Sequence, residues 1–275
     1  DLSDIVQPDE YISRSRDVTY LLDALETAQQ QQQPWATRLD LQSIGLLGNS
    51  LGGTTALSVA GATFNPARLQ QDCRPDRVAI SVSFLLQCIA QTTPPDSTNL
   101  HDPRIKAVLA AYPLTSSLFG PEGMGQITVP TLIMAGSEDF IAPVAQDQIQ
   151  PFIWLRTRNK YLALLTPGTH FSSSDDAYVQ GFPPVLLGPS TALGRTYLER
   201  LSVSFFGSYL GNHLGNYRDA YRTGLSEVYI RSYSQDPLQL YLIRSLTPEQ
   251  LERAYGGLPP SPIIPPPITT KSSPQ

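Results

Sequence analysis

Apolar residues in this chain gather in short runs separated by polar stretches rich in Gly and Pro. Ile44-Gly45-Leu46-Leu47, Ile105 to Ala111, Thr131 to Ala135 and Tyr161 to Leu165 are such runs. Continuous apolar runs of this length, bounded by turn residues, fit strands buried on both faces. Helical spacing appears elsewhere. Val18, Leu21, Leu22 and Leu25 predict one helix over Asp17 to Gln33, ending in the Gln-rich run before Pro34. Leu193, Tyr197, Leu198, Leu201 and Phe205 predict another over 190–210. Leu225 to Tyr255 reads as two further short helices, the second opening near Thr247-Pro248-Glu249 with a capping hydroxyl and a proline in its first turn. The pattern therefore predicts an α/β chain: a mostly parallel sheet with flanking helices over 1–210, an insert at about 62–102, a helical extension over 211–258 and a Pro-rich disordered tail over 259–275.

The strand-like run Ile44 to Leu47 leads into Gly48-Asn49-Ser50-Leu51-Gly52-Gly53, followed by an Ala- and Thr-rich helix former. Strand, tight turn and helix around Gly-x-Ser-x-Gly are the context of a nucleophile elbow, in which the serine hydroxyl stands clear at the end of a strand. Gly48 and Gly52 are expected where strand and helix come close. A phosphate-binding loop is the competing reading. It fails on residue types, because no lysine lies near the turn and Gly-x-Gly-x-x-Gly is absent.

A serine hydroxyl needs a base to take its proton and a carboxylate to orient that base. The chain has three histidines. His101 precedes the run Ile105 to Ala111, at the end of a strand opposite to that where α/β sites form. His213 lies beyond a helix-like segment in Gly211-Asn212-His213-Leu214-Gly215. His170 follows the strand Tyr161 to Leu165 and the turn Pro167-Gly168, which puts it at a strand's C-terminal end. Candidate acids follow Thr131 to Ala135 in Gly136-Ser137-Glu138-Asp139. Asp139 fits best as the orienting acid and Glu138 stands second; the alternative is that the carboxylate only caps a helix near Pro143. Asp175 and Asp176 follow His170 and fit capping or solvent. The candidate set is Ser50 as nucleophile, His170 as base, Asp139 as acid, and the Leu51 N–H as an oxyanion donor.

These stretches, with Arg16-Asp17-Val18, Leu21-Leu22-Asp23, Ser83 to Cys88, Val129-Pro130, Pro151 to Leu155 and Thr169-His170-Phe171, carry a resemblance. From about residue 12 to 210 the chain resembles α/β-hydrolase fold proteins of the platelet-activating-factor acetylhydrolase-like and dienelactone-hydrolase-like group, of the cyanobacterial type. The resemblance implies ester hydrolysis by Ser50, Asp139 and His170 without a metal or organic cofactor. It departs at the N-terminus. Such proteins place several strands before the nucleophile strand, whereas 43 residues precede Ile44 here. The expectation is the C-terminal half of a hydrolase sheet, with the strand ending at Leu47 as an apolar edge prone to aggregation. The second oxyanion donor, normally on a loop after an earlier strand, is then absent from this sequence, which predicts a chain that is weakly active or inactive.

Composition narrows the partners. A hydrophobic content of 41% supports a core, and a net charge of −5 without a basic block argues against nucleic acid. No apolar run is long enough to span a membrane. Cys73 and Cys88, the two cysteines, are either a disulfide, with an oxidising compartment implied, or two buried thiols. The insert at 62–102, apolar from Val78 to Ile89, is expected to cover the site as a lid, or else to be a surface excursion. The substrate expected is a small-molecule or lipid ester. An acyltransferase using the same residues and a non-catalytic binding or assembly module are the alternatives.

Overall fold

The structure, a computed structural model, describes residues 7–74, 78–79, 81–92, 99–210, 217–259 and 263–264. In chain order the elements are helix α1 (Glu10–Gln30), strand β1 (Ile44–Asn49), α2 (Leu51–Val59), α3 (Pro66–Asp72), β2 (Val78–Ala79), α4 (Val82–Ile89), β3 (Ile105–Ala111), α5 (Gly120–Met124) and β4 (Thr131–Gly136). A π-helical turn (Ala145–Ile149) then runs into α6 (Gln150–Trp154). β5 (Lys160–Thr166), α7 (Pro184–Leu187), α8 (Thr191–Leu210), α9 (Tyr217–Thr223), α10 (Glu227–Tyr233), β6 (Gln239–Ile243), α11 (Pro248–Tyr255) and β7 (Ile263–Ile264) complete the chain.

The main sheet has the order β1-β3-β4-β5-β6. The first four strands run parallel and β6 pairs antiparallel with β5. Side chains alternate between two cores, as strand pleating requires. Val108, Ala110, Ile133, Ala135 and Leu162 face a core shared with Leu57 of α2 and Phe152 of α6. Ala107, Leu109, Leu132, Met134, Ala163 and Leu165 face the other, closed by Tyr197, Leu201 and Phe205 of α8 and Ile230 of α10. Both faces are covered, which is why these strands read as continuous apolar runs rather than as alternating ones. Burying each large side chain contributes about 1.5–3 kcal/mol.

The structure departs from the sequence expectations at several points. Helix α1 begins at Glu10, one and a half to two turns early, because Tyr11 and Ile12 are buried; its inward face runs through Ser15, Val18, Leu22 and Leu25, while Leu21 is 59% exposed. The segment 211–258 is not wholly helical. Gln239–Ile243 alternates, with Leu240 and Leu242 buried and Tyr241 exposed, and this period of two builds β6 onto the sheet. Helix α11 opens as expected, with Thr247 and Gln250 forming a capping box and Pro248 at the first turn. Most of the Pro-rich tail lies outside the described residues, but Ile263–Ile264 pairs antiparallel with Val78–Ala79 of the insert. At the far edge of the sheet, among the described residues, β1 has β3 as its single neighbour and Leu47 is 42% exposed.

Candidate functional site

Strand β1 ends directly at Ser50, and α2 begins at the next residue. Ser50 holds φ 55° and ψ −121°, a positive φ that costs a non-glycine residue about 1–3 kcal/mol. The neighbouring Gly48 has a steric reason: a Cβ there would run into the backbone of Gly52 and Gly53. Gly52 does not share that constraint, since a Cβ at 52 would meet nothing. The close approach is thus one-sided, made by the helix backbone against Gly48.

The loops after β4 and β5 are stitched together. Ser137 N donates to Leu165 O at 2.9 Å and Glu138 N to Gly168 O at 2.7 Å. Gly136 permits this approach, because a Cβ there would lie 2.6 Å from the Gly168 carbonyl oxygen. Asp139 and His170, which ride on these loops, are buried side by side. His170 Nδ1 lies 2.8 Å from Asp139 Oδ2, and His170 Nε2 lies 2.9 Å from Ser50 Oγ. Residues from three separate loops therefore meet at the C-terminal ends of parallel strands, where open α/β sheets form their crevices. Asp139 also caps its own loop: its Oδ1 accepts from Ile141 N at 3.0 Å and Ala142 N at 2.8 Å. Capping and contact with His170 coexist on the two oxygens. Glu138 is exposed. His101 sits exposed before β3 and His213 lies outside the described residues. Asp175 and Asp176 are exposed, Asp176 paired with Arg195.

Three neighbours escaped the sequence reading. Gln148, on the π-helical turn, is fully buried; its Nε2 donates to Asp139 Oδ2 at 2.8 Å and to Ala142 O at 2.9 Å, and its Oε1 accepts from Gly136 N. Tyr112, at the end of β3, lays its ring 5.7 Å from that of His170 and has φ 49°. Burial, aided by the nearby Asp139 charge, pushes its hydroxyl well above the ordinary tyrosine range. Asp147 is buried as well. Its Oδ1 accepts from Gln87 Nε2 at 2.9 Å, Thr115 N at 3.1 Å and Ser116 N at 3.0 Å. Burial raises its carboxyl above the usual range despite those donors. Asp147 has no local signal because its partners lie 31 to 60 residues away, whereas Gln148 bonds within its own loop region, to Gly136, Asp139 and Ala142.

Helix α4 of the insert packs beside Ser50. Ser83 N donates to Ile141 O at 2.8 Å, Tyr11 Oη donates to Leu86 O at 2.9 Å, and Gln87 joins the Asp147 cluster. A disulfide between Cys73 and Cys88 ties α4 to the end of α3. Leu86 then forms one wall of a pocket of about 550 Å³ that also contains Ser50, Leu51, Ile141, His170 and Phe171. As residue one of α2, Leu51 carries an N–H without an intrahelical acceptor. Among the described residues no helix is long and apolar enough to cross a membrane. No model of a known protein family matches the sequence, and no curated protein matches it.

Proposed function

We propose that this chain is a serine esterase with an α/β-hydrolase type of sheet, of the group it resembles. The observation that carries the reading is the hydrogen-bonded chain Ser50–His170–Asp139, with Ser50 on a backbone conformation that serine rarely adopts. In this mechanism His170 Nε2 removes the Ser50 proton, and Ser50 Oγ attacks the ester carbonyl carbon. The Leu51 N–H donates to the resulting oxyanion. His170 returns the proton to the alcohol oxygen as the carbon–oxygen bond breaks, leaving an acyl group on Ser50. Water, deprotonated by His170, then attacks the acyl carbon, and His170 returns that proton to Ser50 Oγ as its bond to the carbon breaks and the acid leaves. Asp139 keeps His170 in the required tautomer and stabilises its charged form. The Cys73–Cys88 disulfide favours an oxidising, extracytoplasmic setting.

Labelling with a fluorophosphonate probe tests the reading. Stoichiometric labelling that disappears in Ser50→Ala supports it, and a wild-type chain that resists labelling counts against it. One observation favours a second reading, an assembly module: the outer edge of β1 with the exposed Leu47 could take another strand. In that case Ser50→Ala would leave the protein's association unchanged and no labelling would occur.

A further inference from the structure

The pocket around Ser50 has two chemically different walls. Leu51, Leu86 and Ile141, from α2, α4 and the Asp139 loop, make one of them apolar. The other is a single stretch of chain after His170 that presents Phe171, Ser174, Asp175 and Tyr178. The proton path decides which half of an ester lies against each. The leaving oxygen takes its proton from His170 Nε2, so the alcohol portion lies on the histidine's side, against the second wall. The acyl portion, bonded to Ser50 Oγ, is left to the apolar wall.

That second wall has the features of a cation site. Asp175 supplies an exposed carboxylate, whose Oδ1 also accepts from Ala177 N at 2.8 Å. Tyr178 is 69% exposed, so its ring is open to a ligand, and Phe171 is held edge-on by Phe182 with centroids 5.2 Å apart. Among the described residues lining the pocket there is no lysine or arginine. Arg195 stands behind this wall, where it donates to Ser174 O at 2.7 Å, pairs with Asp176 and also feels the charge of Asp175. An ammonium gains from both a ring face and a carboxylate. A phosphate or sulfonate placed there would face Asp175 and Asp176, two carboxylates against the single guanidinium of Arg195. The acidic chain as a whole, at net charge −5, draws cations in the same direction.

On the esterase reading above, we propose that residues 171–178 form an alcohol subsite that selects esters whose alcohol carries an ammonium group and no phosphate. The test compares kcat/KM for three esters of one acyl group: a trimethylammonioethyl ester, its uncharged 3,3-dimethylbutyl isostere, and a sulfonatoethyl ester. The wild-type chain is expected to prefer the cationic ester over the isostere by about tenfold and to disfavour the anionic one. Asp175→Asn should cut the cationic-to-neutral ratio by about threefold, and so should raised salt. Equal kcat/KM for the charged and uncharged isosteres, or a ratio that Asp175→Asn leaves unmoved, overturns the subsite while the esterase reading stands. Turnover of none of the three overturns the esterase reading and the subsite with it.

Discussion

Gln148 donates its side-chain amide, at 2.8 Å, to the same Asp139 oxygen that faces His170. Two donors thus compete for one carboxylate oxygen inside a buried cluster. The amide disperses part of the negative charge that would otherwise be spent on the imidazolium.

This gives the first prediction, which rests on the esterase reading. Without the amide, Asp139 loses a hydrogen bond that fixes the oxygen facing His170. Gln148→Leu should lower kcat/KM by roughly tenfold to a hundredfold, the scale of a lost hydrogen bond to a charged group. A Gln148→Leu variant that keeps the wild-type kcat/KM would show that Asp139 is held in place without the amide.

Gly48 and Gly52 should respond oppositely to the same substitution. Gly48→Ala forces a methyl group into the backbone of Gly52 and Gly53, and overpacking of this kind costs about 1–3 kcal/mol. Gly52→Ala enters open space on a helix and should be neutral or stabilising by up to about 1 kcal/mol. Denaturant midpoints of the two variants decide the matter; equal losses would show that the elbow is not packed as described.

Asp147 predicts a pH dependence of stability. Its folded carboxyl titrates above the unfolded value, so the native state holds a proton that the unfolded chain has released. Stability from this group is therefore fully present at pH below about 3.9, falls as pH rises through the window above it, and stops falling beyond the folded value. Asp147→Asn removes the titration while keeping an acceptor for Thr115 N and Ser116 N. The stability of the variant relative to wild type should rise with pH across that window, measured by thermal unfolding at a series of pH values.

The Cys73–Cys88 disulfide closes a loop of 15 residues, for which the chain-entropy account gives about 3 kcal/mol. Replacing both cysteines by serine should lower stability by about 2–4 kcal/mol and loosen α4 beside Ser50. Amide hydrogen exchange over Val82–Ile89 reads the second effect directly. Unchanged protection there would mean that the Gln87 and Ser83 hydrogen bonds hold the helix unaided.

What could be read from the sequence follows the range of each interaction. Ser50, Asp139 and His170 could be named because each sits in a loop directly after an apolar run, and the strands carry those loops to one end of the sheet. Glu138 and Asp139 could be ranked by local pattern alone. Strand β6 escaped because five residues between two helices gain their conformation from pairing with β5, far back in the chain. Gln148 escaped because a widened turn has no compositional mark, and Asp147 because its partners Gln87, Thr115 and Ser116 lie on other elements. The start of α1 was hidden for a similar reason: Tyr11 and Ile12 are covered by tertiary neighbours rather than by periodicity.

The π-helical turn Ala145–Ile149 carries an unusual genetic liability. It directs two consecutive side chains to different tasks, Asp147 toward α4 and the chain after β3, Gln148 toward Asp139. A π turn amounts to one extra residue accommodated within a helix. Loss of a single codon there would restore ordinary helical winding and turn the side chains of the widened turn out of their present directions. Gln148 would leave Asp139 and Asp147 would leave Gln87 in one event. Across descendants of this chain the spacing from Asp139 to Gln148 should tolerate exchange of side chains better than it tolerates a change of length.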